Sequence, residues 1–129
     1  MIYLKHKETT GKLPTSEYEL FDNEVPVGKI QLRHKPSHGV GIPKNMASHI
    51  YYEIFSEYRL RGYGKQVLAL GLKEAAKIGL KEIFITCMEN NAGSKKIIEA
   101  NGGAFVEDAM IPEEGKKMLK YRIVPGDLT

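Results

Sequence analysis

An α/β fold is what this sequence predicts, on three observations. Short β-like segments fill the first third of the chain and are joined by turn residues. From His49 onward, strand-like and helix-like runs alternate to about Val106. A basic turn carrying two glycines connects a strand that ends near Phe55 to a helix with a mostly i, i+3, i+4 apolar stripe.

The elements follow in order. Ile2 to Lys7 reads as a first strand, with Ile2 and Leu4 alternating against Tyr3 and Lys5. Gly11 and Pro14 oppose a regular helix between Thr9 and Ser16. Tyr18 to Phe21 and Val25 to Arg33 form a hairpin around Asp22-Asn23-Glu24. Lys35 to Ala47 holds Pro36, Gly39, Gly41 and Pro43 and reads as a mobile loop. His49 to Phe55 is a strand rich in isoleucine and aromatics. The helix after it carries Val67, Leu68, Leu72, Ala75, Ala76 and Ile78. Leu80 to Met88 reads as a largely buried strand, and a second helix and a strand follow to about Val106. Pro112-Glu113-Glu114-Gly115 turns the chain into a last strand, Met118 to Val124.

Length and composition narrow the function. A chain of 129 residues gives one domain, 1–129, with room for one sizeable core. No run of 18 apolar residues is present, so no membrane helix is expected, and the N-terminus lacks the features of a signal peptide. The single cysteine, Cys87, excludes an internal disulfide and suits a reducing cytoplasm. With 19 basic residues against 16 acidic ones, and no long basic block, the chain lacks the concentrated face of a nucleic-acid binder.

The turn at 54–66 carries the chemistry. Gly62 and Gly64 let a ligand approach the backbone closely, and first-turn N–H groups at a helix N-terminus favour phosphate. Arg59, Arg61 and Lys65 add positive charge. The NTPase loop pattern fails, because Arg59 stands at its first glycine and Gln66 at its hydroxyl position. The dinucleotide fingerprint fails at Val67. Arg59-Leu60-Arg61-Gly62-Tyr63-Gly64 fits a third pattern, Arg/Gln-x-x-Gly-x-Gly/Ala, at every fixed position.

Through that turn the chain resembles the GNAT superfamily, the GCN5-related N-acetyltransferases. The segments Leu80 to Met88 and Asn91 to Gly103 are similar to the family's fifth strand and fourth helix, and the resemblance covers about residues 25–124. Within the superfamily, Arg33-His34, His49-Ile50 and Ile85-Thr86-Cys87 look most like a bacterial subgroup of predicted acetyltransferases. The resemblance implies a mixed, mostly antiparallel sheet with helices on both faces, splayed between strands 4 and 5 to admit coenzyme A. It implies acetyl transfer from acetyl-CoA to a primary amine, small-molecule or peptide, without a metal. The alternative is a catalytically idle CoA-binding or regulatory module on the same fold.

Residue by residue, the resemblance assigns pantetheine contacts to the backbone of Ile54, Phe55 and Ser56. It assigns the pyrophosphate to the turn of Arg59, Arg61, Gly62, Tyr63, Gly64, Lys65 and Gln66. Asn91 matches a loop asparagine that reaches the pantetheine, and Ser94 a hydroxyl of the fourth helix; the competing role for both is helix capping. Family members often carry a tyrosine four residues before the closing glycine, where this chain has Ile98. They also place two helices between the first two strands as one wall of the acceptor site. Glu8 to Glu17 leaves no room for two helices of ~11 residues each. Two alternatives follow, an open acceptor side or a wall supplied by a second copy in a homodimer.

Aminolysis of a thioester requires the amine to lose a proton. His49 and Glu53 are the candidate bases, on one face of their strand with Tyr51 between them. Histidine titrates near neutrality, and glutamate serves if burial raises its pKa. Cys87 reads as a core residue, Tyr63 as packed beside the turn, and Lys116-Lys117 as solvated surface. His34 and His38 have i, i+4 spacing, but Pro36 between them opposes the helix a metal pair would need.

Overall fold

The computed structural model describes residues 1–10 and 14–125. Among these residues, seven strands and two α-helices follow in the order β1 (Ile2–Thr10), β2 (Thr15–Asp22), β3 (Val25–Ser37), β4 (Ser48–Ile54), α1 (Tyr63–Lys77), β5 (Ile83–Met88), α2 (Ala92–Ala100), β6 (Ala104–Ile111), β7 (Lys116–Ile123). The strands form two antiparallel sheets, β1-β2-β3-β4 and β5-β7-β6. No ladder joins β4 to β5 among the described residues, so the expected splay lies between them.

One side chain ties the two sheets. His49 Nδ1 accepts the Phe84 backbone N–H at 3.0 Å. Both residues lie near the N-terminal ends of their strands, so β4 and β5 run the same way and part toward their C-terminal ends. Two strands running the same way across the α1 connection, between sheets that are each antiparallel, make the architecture mixed.

The cross-strand partners Gly28↔Ile54, Ile30↔Tyr52 and Leu32↔Ile50 bring one face of β3 and β4 together. α1 packs on that face. An added Cβ at Gly71 would stand 2.4 Å from Ile30 Cδ1, so any larger residue would displace that side chain or the helix. The buried stripe of α1 is Val67, Leu68, Gly71, Leu72 and Ala75. Ala76 and Ile78, expected in the stripe, are exposed: Ala76 lies within α1 off its buried face, Ile78 is the C-cap, and Gly79 follows at φ 88. Gly79 N–H bonds Ala76 O and Leu80 N–H bonds Ala75 O, the closing pair of a glycine C-terminal motif.

The opposite face of β1–β4 differs from the expectation of helices on both faces. It carries Lys5, Glu19, Lys29, Gln31, Tyr51 and Glu53, all exposed or half-buried. The cause is the connection between β1 and β2, which is tighter than its sequence suggests. Both strands pair through Glu8↔Glu17, Thr9↔Ser16 and Thr10↔Thr15, so the expected connection is mostly ladder. Gly11 lies outside the described residues. The region 35–47 also departs from a plain loop. β3 continues to Ser37, and a 3-10 turn at Lys44–Met46 buries Met46. Burial of Met46 gives that turn a fixed place despite the local glycine and proline signals.

Candidate active site

β4 ends at Ile54, and a 3-10 turn at Ser56–Tyr58 leads into the glycine turn. Leu60 has φ 64 and Gly62, the N-cap of α1, has φ 84. Around Gly62 an added Cβ would meet nothing within 4 Å, so glycine is needed for the left-handed backbone, and the space beside it is open. At Gly64 a Cβ would stand 2.6 Å from Ile97 Cδ1. Glycine there seats α1 against α2, a packing role beyond the ligand approach expected from the sequence. The Gln66 N–H closes the first helical bond to Gly62 O at 3.4 Å, and the N–H groups of Tyr63, Gly64 and Lys65 precede it at the positive end of the helix.

A cavity of about 780 Å³ opens beside this turn. It gathers Arg59, Gly62, Gly64 and Lys65 from the turn, Ile54 from β4, and Asn91 and Ser94 from the start of α2. Tyr51, Tyr52 and Glu53 also line it. Successive residues of a strand point to opposite faces, so a single cavity touching all three passes around the free edge of β4. It joins the phosphate-favouring turn on one face to the polar, uncovered face on the other.

Other expected residues stand apart. Phe55 N–H bonds Val27 O at 2.9 Å, and its carbonyl accepts from Tyr58 N–H, so both main-chain groups are already engaged. Ile54 points its main-chain groups the other way, toward the gap, where Arg59 Nε donates to its carbonyl at 3.0 Å. Ser56 is exposed and near Glu57, and Arg61 lies over the Tyr58 ring at 5.8 Å. Gln66 is exposed on α1. Tyr63 lines the cavity and also donates its hydroxyl to Asp22 at 2.5 Å. That bond holds the phenol above its usual pKa and anchors α1 to the β2–β3 hairpin.

The two candidate bases are separated. Glu53 lies in the cavity, with Lys29 Nζ 3.9 Å away and the Tyr51 hydroxyl donating to its Oε1 at 3.4 Å. His49 lies about 13 Å back along β4. It lines a different cavity, of about 360 Å³, with Phe84, Glu82 and Arg122. β3 bulges opposite it, between Leu32 and Ser37. Burial pushes its pKa below 6.5, against the opposing hydrogen bond from Phe84. Its ring also stacks on Phe84 at 6.0 Å between centroids.

Asn91 caps α2, accepting the Ser94 N–H at 3.1 Å, and still faces the cavity. Cap and lining are the same residue. Ile98 is fully buried in the core. Two residues escaped the sequence reading. Asn101, buried at the end of α2, donates to Lys65 O at 3.2 Å and Ile97 O at 3.0 Å, fixing the glycine turn to α2. Tyr52 reaches from β4 to α2, its hydroxyl 3.4 Å from Ser94 Oγ. Their alternation or capping position was visible, but which element each would meet was not.

Comparisons with known proteins agree with this fold. Among curated proteins none matches the chain. A Bacillus subtilis acetyltransferase solved with CoA superposes with a TM-score of 0.73 at 11% identity, over 96% of this chain and 99% of that one. A Salmonella typhimurium acetyl transferase that modifies the N-terminal serine of ribosomal protein L7/L12 gives 0.67 at 17% identity, over 85% and 63%. A spermidine N-acetyltransferase chimera from Vibrio cholerae and hSSAT gives 0.68 at 13% identity, over 88% and 70%. The family model for the acetyltransferase (GNAT) family matches residues 5–102, and the chain belongs to that family.

Proposed function

We propose that the protein transfers an acetyl group from acetyl-CoA to a primary amine. The observation that carries this reading is the cavity running from the glycine turn around the edge of β4 to Glu53. The turn supplies N–H donors, the helix dipole and the Arg59 and Lys65 side chains to the pyrophosphate. Open space at Gly62 fits a phosphate against the backbone. Ile54 offers main-chain groups to the pantetheine arm, and Asn91 and Ser94 face it from α2. On the other side of β4, Glu53 takes a proton from the attacking amine as the C–N bond forms and the C–S bond breaks. Lys29 and Tyr51 hold that carboxylate in place. His49 in this reading keeps the two sheets together.

Neighbours that act on a protein N-terminus and on spermidine support an amine acceptor. The uncovered face beside Glu53 supports one approached from solvent. The second reading, an idle CoA-binding module, draws on Ile98 standing where the family often has a tyrosine. Calorimetry with CoA, acetyl-CoA, ATP and NAD, followed by CoA release with an amine panel, tests both. CoA binding well above ATP together with turnover is the expected result. Binding without turnover favours the idle module, and equal affinity for ATP removes the CoA reading.

A further inference from the structure

We propose that Tyr52 is the proton donor to the departing CoA thiolate, an inference that rests on the acetyl-transfer reading and deepens it. A thiolate leaving a tetrahedral centre gains from an O–H held beside the sulfur. The cavity has several hydroxyls, and the geometry separates them. Tyr63 already donates to Asp22 at 2.5 Å. Tyr51 donates to Glu53, on the face where the amine would lose its proton. Tyr58 packs edge-on against Tyr63 beneath Arg61, beside the turn. Ser94 is an alkyl alcohol, a much weaker acid than a phenol.

Tyr52 differs from all of these. It projects from the opposite face of β4 to its neighbour Glu53, and both line the same cavity. A thioester carried around the strand edge therefore has a carboxylate on the amine side and a phenol on the sulfur side, supplied by adjacent residues. The ring is wedged between the turn and α2, its Cε2 4.0 Å from the Cβ position of Gly64. Its hydroxyl donates to Ser94 Oγ over 3.4 Å, a long bond that a thiolate would readily replace. Burial raises the phenol above its usual 10.0, which keeps it protonated at neutral pH. Ile98, by contrast, is sealed in the core and has no proton to give.

The step balances. The amine nitrogen bonds to the acetyl carbon, and its proton passes to Glu53. The C–S bond breaks with its electron pair on sulfur, and the Tyr52 proton goes to that sulfur. Glu53 then loses its proton to solvent and the phenolate regains one, leaving amide and CoA thiol.

The test follows the hydroxyl itself. Protein carrying 3-fluorotyrosine is titrated with CoA and with CoA lacking its sulfur, and the Tyr52 signal is assigned by its loss in Tyr52→Phe. CoA is expected to shift that signal strongly, and the sulfur-free ligand much less at equal saturation. Tyr52→Phe is expected to cut CoA release from acetyl-CoA and the accepted amine by ~10²-fold or more, with the acetyl-CoA KM unchanged. Equal shifts with both ligands, or a Tyr52→Phe rate within a few-fold of the parent, overturns the assignment while acetyl transfer stands. If neither ligand binds, the CoA reading itself falls, and the proposal with it. If CoA binds but no amine is acetylated, donation is overturned whatever the shift.

Discussion

At the scale of single residues, charge and backbone angle decide what each position does. Glu53→Gln keeps shape and hydrogen bonding but cannot accept a proton. Acetyl transfer should fall by ~10²–10⁴-fold while acetyl-CoA affinity, measured by calorimetry, hardly changes. His49 has a different kind of consequence. Its folded pKa lies below 6.5, so on acidification the unfolded chain takes up a proton before the folded one does. The stability His49 contributes is complete above pH 6.5 and is lost as pH falls from there through the folded pKa. Melting temperatures across that range should show the loss in the parent and less of it in His49→Gln. Replacing His49 by leucine instead strands the Phe84 N–H and should cost about 1–3 kcal/mol in denaturant unfolding. At Gly62, with φ 84 and open space around it, Gly62→Asp adds backbone strain of about 1–3 kcal/mol and puts a carboxylate at the phosphate position. The protein should fold and lose CoA binding in calorimetry; retained affinity would put the phosphate site elsewhere.

Between elements, the seat of α1 governs the site. Gly71 against Ile30 sets how close the helix lies to β3, and Gly64 against Ile97 sets how close it lies to α2. Asn101 then fixes the register of that second contact by bonding Lys65 O. Asn101→Ala removes a donor from two carbonyls and should destabilise the fold by about 1–3 kcal/mol. It should also weaken CoA binding although Asn101 does not line the cavity, because the turn is no longer held against α2. Unchanged CoA affinity in a folded Asn101→Ala protein would show that the turn is rigid by itself. Gly71→Leu is an overpacking change, expected to cost about 1–3 kcal/mol as α1 lifts from β3.

The whole molecule is two sheets hinged at one end of the β4–β5 gap and open at the other. His49 closes the near end, and the glycine turn, Ile54 and Asn91 surround the far end. A ligand that fills the gap bridges both sheets, so binding is linked to global stability. CoA should raise the melting temperature progressively with concentration, and ATP much less, in a thermal-shift titration. The open face of β1–β4 follows from the short β1–β2 hairpin. It leaves Glu53 reachable from solvent, without the enclosing wall two helices would provide.

Much of this was written in local sequence. Arg59 to Gly64 announced a basic glycine turn opening a helix, because the conformation and charge of that turn are properties of those residues alone. The alternation in β4 placed Tyr51 and Glu53 on one face, since a strand has a period of two whatever surrounds it. The open face was foreshadowed by the few residues between the first two strands, because length bounds what a connection can contain. Local pattern said nothing of partners. Whether His49 or Glu53 stands by the turn depends on where β4 and β5 part, a matter of packing between distant segments. So does the meeting of Asn101 with Lys65, 36 residues away. The reach of Tyr52 to Ser94, 42 residues away, likewise exists only once α2 has docked. The sequence by itself determined the turn, the strand faces and the fold class, all set by short-range sterics and periodicity. Only the tertiary structure decided which groups share the cavity, because long-range packing brings them together.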